Sequence, residues 1–191
     1  MTTSISELID ATARTAAPVV RAVPDDRLGD PTPCPEYTVR DLLNHLIHTV
    51  IGGQALAAKQ SADFSHPPDY LVGDWRSRFA DECLRLARAW AAPDAEEGVY
   101  PGLGFPARTM GVMELLELAV HAWDLARATG QDFAPDATTV RELGTLLEEF
   151  APKGREMGMF GEAVAVLKGA SGFDAVLAAT GRNPQWRPVP A

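Results

Sequence analysis

Residues 109–130, TMGVMELLELAVHAWDLARATG, carry the strongest indication of the fold. It contains no proline, and its apolar side chains lie on almost every face of a helix instead of on one stripe. A helix of this kind is buried among other helices, so we expect it at the centre of a helical bundle. Gly130 suits the left-handed conformation that ends many helices, and it predicts the end of this one.

Helical periodicity on both sides of this stretch predicts the other helices. The predicted helices cover about residues 4–23, 38–60, 67–92, 109–130, 136–150 and 173–180. Ser4 and Glu7 form a capping-box pattern for the first helix, which Pro18 should bend or end early. Thr38 is the predicted N-cap of the second helix, and Pro67 and Pro68 are predicted to open the third.

Segments rich in proline and glycine separate these helices. Residues 29–35 form a turn, and residues 93–108 form a long loop in which a strand pair would fit. Beyond residue 150 the pattern is less regular, and Pro184, Pro188 and Pro190 indicate an extended tail. We therefore predict an all-α, mainly helical chain, with residues 1–191 as one domain that ends in a small irregular C-terminal extension.

Composition and charge restrict the class of protein. The formal net charge is −9, and the 17 basic residues are scattered, which argues against nucleic acid or an anionic membrane as a partner. The N-terminus has no signal-peptide pattern, and no run of eighteen apolar residues occurs, so we expect a cytoplasmic protein. Cys34 and Cys83 lie far apart, and we expect both to be reduced thiols without a chemical role.

Four polar residues interrupt the apolar helix at residues 109–130. Glu114, Glu117, His121 and Asp124 are spaced by three, four and three residues, which places them on one stripe. One interpretation is a solvated face, on which Glu117 and His121 form a helical charge pair. The other is a metal site, because a glutamate and a histidine four residues apart project over the same turn.

A metal site needs a third ligand from another helix. The chain has four histidines, and His66 lies just before a Pro-Pro pair, which leaves His45 and His48 on the second helix. Both lie off the centre of the apolar stripe of that helix. Periodicity therefore does not choose between them.

Three runs of sequence resemble a known family. They are TPCPEYTVRDLLNH (32–45), ELAVHAWDLARATG (117–130) and GRNP (181–184). They are similar to an actinobacterial metal-binding family related to the N-terminal domain of mycothiol-dependent maleylpyruvate isomerase. That family lies within the superfamily of DinB-like helical bundles, so the resemblance implies a DinB-like four-helix bundle. It spans nearly the whole chain.

The resemblance also implies the ligands of the metal. The family holds its metal by a histidine of the second helix and by an ExxxH pair, which match His45, Glu117 and His121, while His48 matches no ligand position. Tyr37 stands where the pattern usually has tryptophan, a change that should affect packing more than chemistry. The chain is too short to contain the complete second domain of the isomerase, so the resemblance does not imply the specific isomerase activity.

The ligand set suggests the chemistry. Two imidazoles and one carboxylate suit zinc, our first choice, as well as nickel, cobalt or iron(II). Three protein ligands leave a coordination position open, as catalytic sites do. The resemblance then implies a thiol-dependent transferase or isomerase, in which a low-molecular-weight thiol such as mycothiol is the cosubstrate and attacks a small electrophile.

Other functions fit the same residues. One is a metal-water hydrolase, although the sequence has no HExxH-type base. Another is a metal-binding or oligomerising bundle without turnover, and a homodimer is compatible with either. We assign no catalytic residue. Glu114 or Asp124 could orient His121 or transfer a proton, but each fits equally well as an acid that is simply exposed to solvent.

Overall fold

Six α-helices account for most of the computed structural model, which describes residues 2–101 and 104–188. The helices are α1 (Ile5–Arg21), α2 (Val39–Ala57), α3 (Trp75–Trp90), α4 (Ala107–Thr129), α5 (Ala137–Glu156) and α6 (Gly172–Ala179), with a short 3-10 turn at Asp25–Arg27. The described residues form only two isolated β-bridges and no longer strand. None of their helices is both long enough and apolar enough to span a lipid bilayer. The prediction of an all-α chain is confirmed.

Helices α1 to α4 form a four-helix bundle. Helix α1 packs against α3 and α4, and α2 packs against the same two helices. Helix α4 also contacts α5, so it is covered on nearly every side, as its apolar sequence predicts. Side chains such as Leu115, Leu118 and Leu125 at its centre are fully or almost fully buried.

The caps predicted from the sequence are present. The Ser4 hydroxyl accepts from the N–H of Glu7, and the Glu7 carboxylate accepts from the N–H of Ser4. Thr38 forms the same reciprocal arrangement with Asp41 at the start of α2. Gly130 ends α4 with a φ of 74°, the left-handed conformation that glycine adopts without strain. Local side-chain chemistry therefore sets these helix ends.

One of the two predictions about proline was wrong. Pro18 lies in the last turn of α1, which ends at Arg21, and its carbonyl still accepts from the N–H of Ala22 at 3.0 Å. Pro67 and Pro68 do not open the third helix. They lie in a segment without regular structure, and α3 begins at Trp75 because the Asp74 carboxylate accepts from the N–H of Ser77.

The loop between α3 and α4 contains a small hairpin instead of a full strand pair. The N–H of Tyr100 donates to the carbonyl of Phe105 at 2.8 Å, and Val99 bridges to Pro106. Residues 102–103 of this loop lie outside the described residues.

The C-terminal part is more helical than predicted. Helix α5 continues to Glu156, and α6 packs against it. The irregular part is limited to residues 157–171 and to the segment after α6. Pro184 and Pro188 lie in that last segment, and Pro190 falls outside the described residues.

Candidate metal centre

Helices α2 and α4 bring three candidate ligands together. Glu117 lies between the two histidines, since its Oε2 is 3.2 Å from Nε2 of His45 and 3.2 Å from Nε2 of His121. The two imidazole rings are nearly perpendicular, with centroids 4.9 Å apart. The three side chains predicted from the resemblance therefore meet at one point between two helices.

The chemistry of this donor set fits a divalent transition metal. Each of His45, Glu117 and His121 offers one ligand atom, and these atoms lie within 4.8 Å of one another. Two nitrogens and one carboxylate oxygen match the preferences of zinc, nickel, cobalt and iron(II). Within residues 2–101 and 104–188, these three side chains form the group that could hold such an ion.

Asp124 binds the nitrogen of His121 that points away from Glu117, and Arg182 binds Asp124. Oδ2 of Asp124 lies 3.0 Å from Nδ1 of His121, and Nη2 of Arg182 lies 3.3 Å from the same oxygen. The Asp124 side chain is fully buried. Because Nδ1 carries the hydrogen bond to Asp124, Nε2 of His121 is the nitrogen that faces Glu117.

Charges in the centre shift the pKa values of its members. Burial alone would raise the pKa of Glu117, but hydrogen bonds from His121 and His45 and the charges of these two residues hold it well below its usual range. Burial opposes protonation of His121, yet hydrogen bonds to Asp124 and Glu117 outweigh it and raise the pKa of His121 to about 9. Without a metal, the pair is therefore a carboxylate beside an imidazolium.

The other two histidines are engaged elsewhere or exposed. Nδ1 of His48 lies 2.8 Å from the Tyr70 hydroxyl, and its Nε2 lies 2.7 Å from the carbonyl of Asp63. His66 is exposed in the segment between α2 and α3. The structure thus brings His45, and not His48, to Glu117, a choice that periodicity left open.

The polar stripe of α4 is not a solvated face. Glu114 is 7% exposed, His121 6% and Asp124 0%, although Glu117 keeps more contact with solvent. The solvated interpretation was therefore wrong for most of the stripe. The charge pair between Glu117 and His121 is present, but within a larger buried cluster.

Sequence reasoning missed two neighbours of the centre. The Tyr37 ring lies 5.2 Å from the His45 ring and 6.4 Å from the His121 ring, centroid to centroid. Arg182 comes from the segment after α6, and its side chain is only 13% exposed. The sequence signal for Arg182 is the GRNP run at residues 181–184, which points to the family resemblance but not to a contact with Asp124.

A cavity of about 580 Å³ opens beside the centre. His45, Glu114 and Glu117 lie on its wall, and the long loop and the C-terminal part both contribute to it through residues such as Tyr100 and Met159. Burial and the nearby charge of Glu117 raise the pKa of Glu114 well above its usual range. The ligand cluster therefore borders a space large enough for a small molecule.

The two cysteines are free thiols, as predicted. Cys83 is buried in α3, and burial raises its pKa far above the usual range. Cys34 is partly buried, and burial raises its pKa as well. Raised pKa values disfavour the thiolate, which is the reactive form of cysteine.

The sequence matches a protein family over most of the bundle. Residues 9–126 match the model of the mycothiol maleylpyruvate isomerase N-terminal domain. The chain belongs to this family. The match covers α2, α3 and most of α1 and α4, and so includes His45, Glu117 and His121.

Other members of similar sequence carry no described activity. One uncharacterized protein of Mycobacterium tuberculosis is 32% identical over 123 residues, which cover 61% of this chain and 63% of that protein. A second uncharacterized protein of the same species is 28% identical over 137 residues, which cover 59% of this chain and 51% of that protein. The chain thus spans less than two thirds of the length of these curated relatives.

Solved structures show the same fold. A crystal structure described as the mycothiol-dependent maleylpyruvate isomerase aligns with a TM-score of 0.63 at 18% identity, over 95% of this chain and 89% of that one. The structure of a histidine-to-alanine mutant of that isomerase aligns with a TM-score of 0.55 at 17% identity, over 83% and 72%. At this level of identity the likeness establishes the DinB-like helical fold of this family member.

Proposed function

We propose that this family member is a metal-dependent enzyme that joins a low-molecular-weight thiol to a small electrophile. The observation that carries the proposal is the convergence of His45, Glu117 and His121 beside a cavity whose wall includes His45 and Glu117. A purely structural metal site is usually closed by four protein ligands. Three candidate ligands beside a cavity instead favour a site that is open to a small molecule.

We propose His45, Glu117 and His121 as the ligands, with zinc as the first choice. A bound divalent metal would lower the pKa of a thiol or water in its open position and so supply a nucleophile at neutral pH. The imidazole of His121 must be deprotonated to bind, so the ion would displace the proton that Nε2 shares with Glu117.

The remaining polar residues of the centre have separate roles in this proposal. Asp124 holds Nδ1 of His121 and so fixes the orientation of the ring, while Arg182 fixes Asp124. Glu114 lies on the cavity wall, and its raised pKa favours the neutral acid, which can donate a hydrogen bond or a proton to a bound substrate. Asp124 is thus a positioning residue, and Glu114 is the candidate proton donor.

Family membership supports mycothiol as the thiol, because the solved relatives are described as mycothiol-dependent.

We propose that residues 1–191 act as one domain, since α5, α6 and the following segment complete the surroundings of the centre. The cavity wall includes residues from α2, α4 and α5 as well as from the loops.

Metal content per chain tests the first step of the proposal. We expect about one equivalent in the wild type and a large loss in His45→Ala, Glu117→Gln and His121→Ala, all purified without an affinity tag and measured by elemental analysis. His48→Ala is the matched control, because His48 lies on the same helix but binds Tyr70 and Asp63. Wild-type protein that takes up no zinc, nickel, cobalt or iron on reconstitution would overturn the proposal.

Thiol binding tests the second step. Mycothiol should raise the thermal stability of the metal-loaded wild type, because a ligand of the native state stabilises it, and should not do so in His121→Ala. A metal-loaded protein that shows no shift and no thiol consumption with electrophiles would instead indicate a metal-binding bundle without turnover.

A further inference from the structure

Apolar side chains dominate the cavity beside the candidate metal centre. We infer that its ligand is a neutral, mainly apolar molecule that carries a hydrophobic group such as a phenyl ring, and that the cavity discriminates against carboxylates. This inference rests on the proposed function, because it names the class of electrophile that would reach the same centre.

Apolar side chains form most of the cavity wall. Aromatic and methionine side chains on the wall come from the loops as well as from α4 and α5, and they include Phe64, Phe105, Phe150, Met110, Met113 and Met159. Methionines fill irregular gaps and adapt to ligands of different outline. A volume of about 580 Å³ lies within the usual range for small-molecule sites.

Among the described residues, the polar groups on the wall provide no permanent cation to pair with an anion. The described residues that line the cavity include two carboxyl groups, those of Glu114 and Glu117, and no lysine or arginine. The loop residues 102–103, whose placement is not described, are glycine and leucine and add no charge. A carboxylate placed here would lose its hydration without gaining a cationic partner from these residues, which is costly.

Basic residues close in sequence to the wall are engaged elsewhere. Arg108 forms ion pairs with Glu96 and Glu142. Lys59 donates to the carbonyl of Asp94. Lys153 lies over the ring of Phe105, and this ring lines both the cavity beside the centre and a second cavity, of which only the second includes Lys153. None of these three side chains lines the cavity beside the centre.

A matched pair of small ligands tests the inference. The ketone 4-phenylbutan-2-one and the anion 3-phenylpropanoate share a phenethyl group and differ in a methyl group against a carboxylate oxygen. Their dissociation constants are measured by ligand-observed NMR on the full chain in the presence of a chelator, so that the result does not depend on a metal or a thiol. We expect the ketone to bind at least about tenfold more tightly.

Two tryptophan substitutions locate the binding. Ala62 lines the cavity, so Ala62→Trp should weaken ketone binding at least about tenfold. Ala58 is exposed and lies outside the cavity, so Ala58→Trp adds the same indole there and should leave ketone binding unchanged.

A third substitution tests the charge preference. Met113→Lys adds a cation to the wall and should raise the affinity for the anion relative to the ketone. Equal or tighter binding of the anion by the wild type would overturn the inference, as would no ketone binding at millimolar concentration or unchanged binding in Ala62→Trp. Failure of metal loading alone would overturn the proposed function and not this one.

Discussion

Asp124 fixes the ring of His121 from the next turn of the same helix. Its Oδ2 lies 3.0 Å from Nδ1, and both side chains are almost completely buried. Nε2 of His121 is then directed at Glu117, 3.2 Å away. A carboxylate that holds the far nitrogen of a histidine is the arrangement by which metalloproteins orient an imidazole ligand and raise its basicity.

Asp124→Asn should weaken metal binding without removing a proposed ligand. The neutral amide no longer stabilises the imidazolium, so the pKa of His121 in the metal-free protein should fall from about 9 toward its ordinary value. Loss of such a partner typically lowers metal affinity by roughly 10- to 100-fold. The pKa is measured by NMR titration, and the affinity by competition with a chelator.

Asp81→Asn is the control for that substitution, because Asp81 is an exposed acid on α3. It should change neither the pKa of His121 nor the metal affinity. An unchanged pKa of His121 in Asp124→Asn would show that Asp124 does not set the protonation of the ring.

The metal-free protein should lose stability as the pH rises. Because the pKa of His121 is raised to about 9 in the folded protein, its protonation stabilises the fold below about pH 6.5, the ordinary value, and this contribution is lost as the pH rises through 9. At about 1.4 kcal/mol per pH unit between the two pKa values, we expect a loss of about 3 kcal/mol. Urea unfolding at pH 6 and at pH 9.5 measures it.

His121→Gln is the reference for this pH dependence, since glutamine does not titrate. Its free energy of unfolding should change less between the two pH values than that of the wild type. Parallel curves for the two proteins would assign the pH dependence to other groups.

The helices could be predicted because their signals are local. Helix α4 is apolar on almost every face, and the caps at Ser4 and Thr38 consist of residues within one turn of each other. The error at Pro67 arose because a proline pair is compatible with both a helix start and an irregular segment. The Asp74 cap decides the actual start of α3, but the helical spacing of Trp75 and Phe79 extends back to Leu71, so periodicity alone does not single out Asp74 as the cap.

The candidate site was predicted only in part, since much of it depends on distant residues. The spacing of Glu117 and His121 is visible in one helix, but the choice of His45 needs the rotation of α2 against α4. Burial of Asp124 depends partly on Arg182, which lies 58 residues further along the chain. The hydrophobic periodicity of one helix does not show which of its side chains are buried by segments that come later in the chain.

Gly111 should be required for the close approach of α4 to its neighbours. An added Cβ would lie 2.8 Å from Cγ2 of Ile5 and 2.9 Å from Cζ3 of Trp90, both buried and closely packed. Gly111→Ala should therefore lower the free energy of unfolding by about 1–3 kcal/mol in urea unfolding.

Gly144→Ala is the matched control within α5. An added Cβ meets nothing within 4 Å there, so alanine should stabilise the helix by about 0.5–1 kcal/mol. A destabilisation of the same size in both variants would contradict the packing explanation for Gly111.

Arg182 should be the residue through which the C-terminal segment supports the centre. Its guanidinium is 3.3 Å from Asp124, whose side chain is fully buried, and its own side chain is 13% exposed. Arg182→Met keeps the aliphatic length but removes one of the two cationic partners of the buried Asp124 carboxylate, while His121 remains, so we expect a cost of about 1–3 kcal/mol. We expect a loss of this size in urea unfolding, together with weaker metal binding.

Arg187→Met separates this role from general packing of the same segment. Arg187 is exposed and donates to the carbonyl of Trp186, so its replacement should change stability by less than about 0.5 kcal/mol.

The family model ends at residue 126, and Arg182 lies well beyond it. If Arg182→Met loses metal affinity while Arg187→Met does not, the centre depends on a residue outside the matched domain. If both variants bind metal like the wild type, then the bundle alone orients His121.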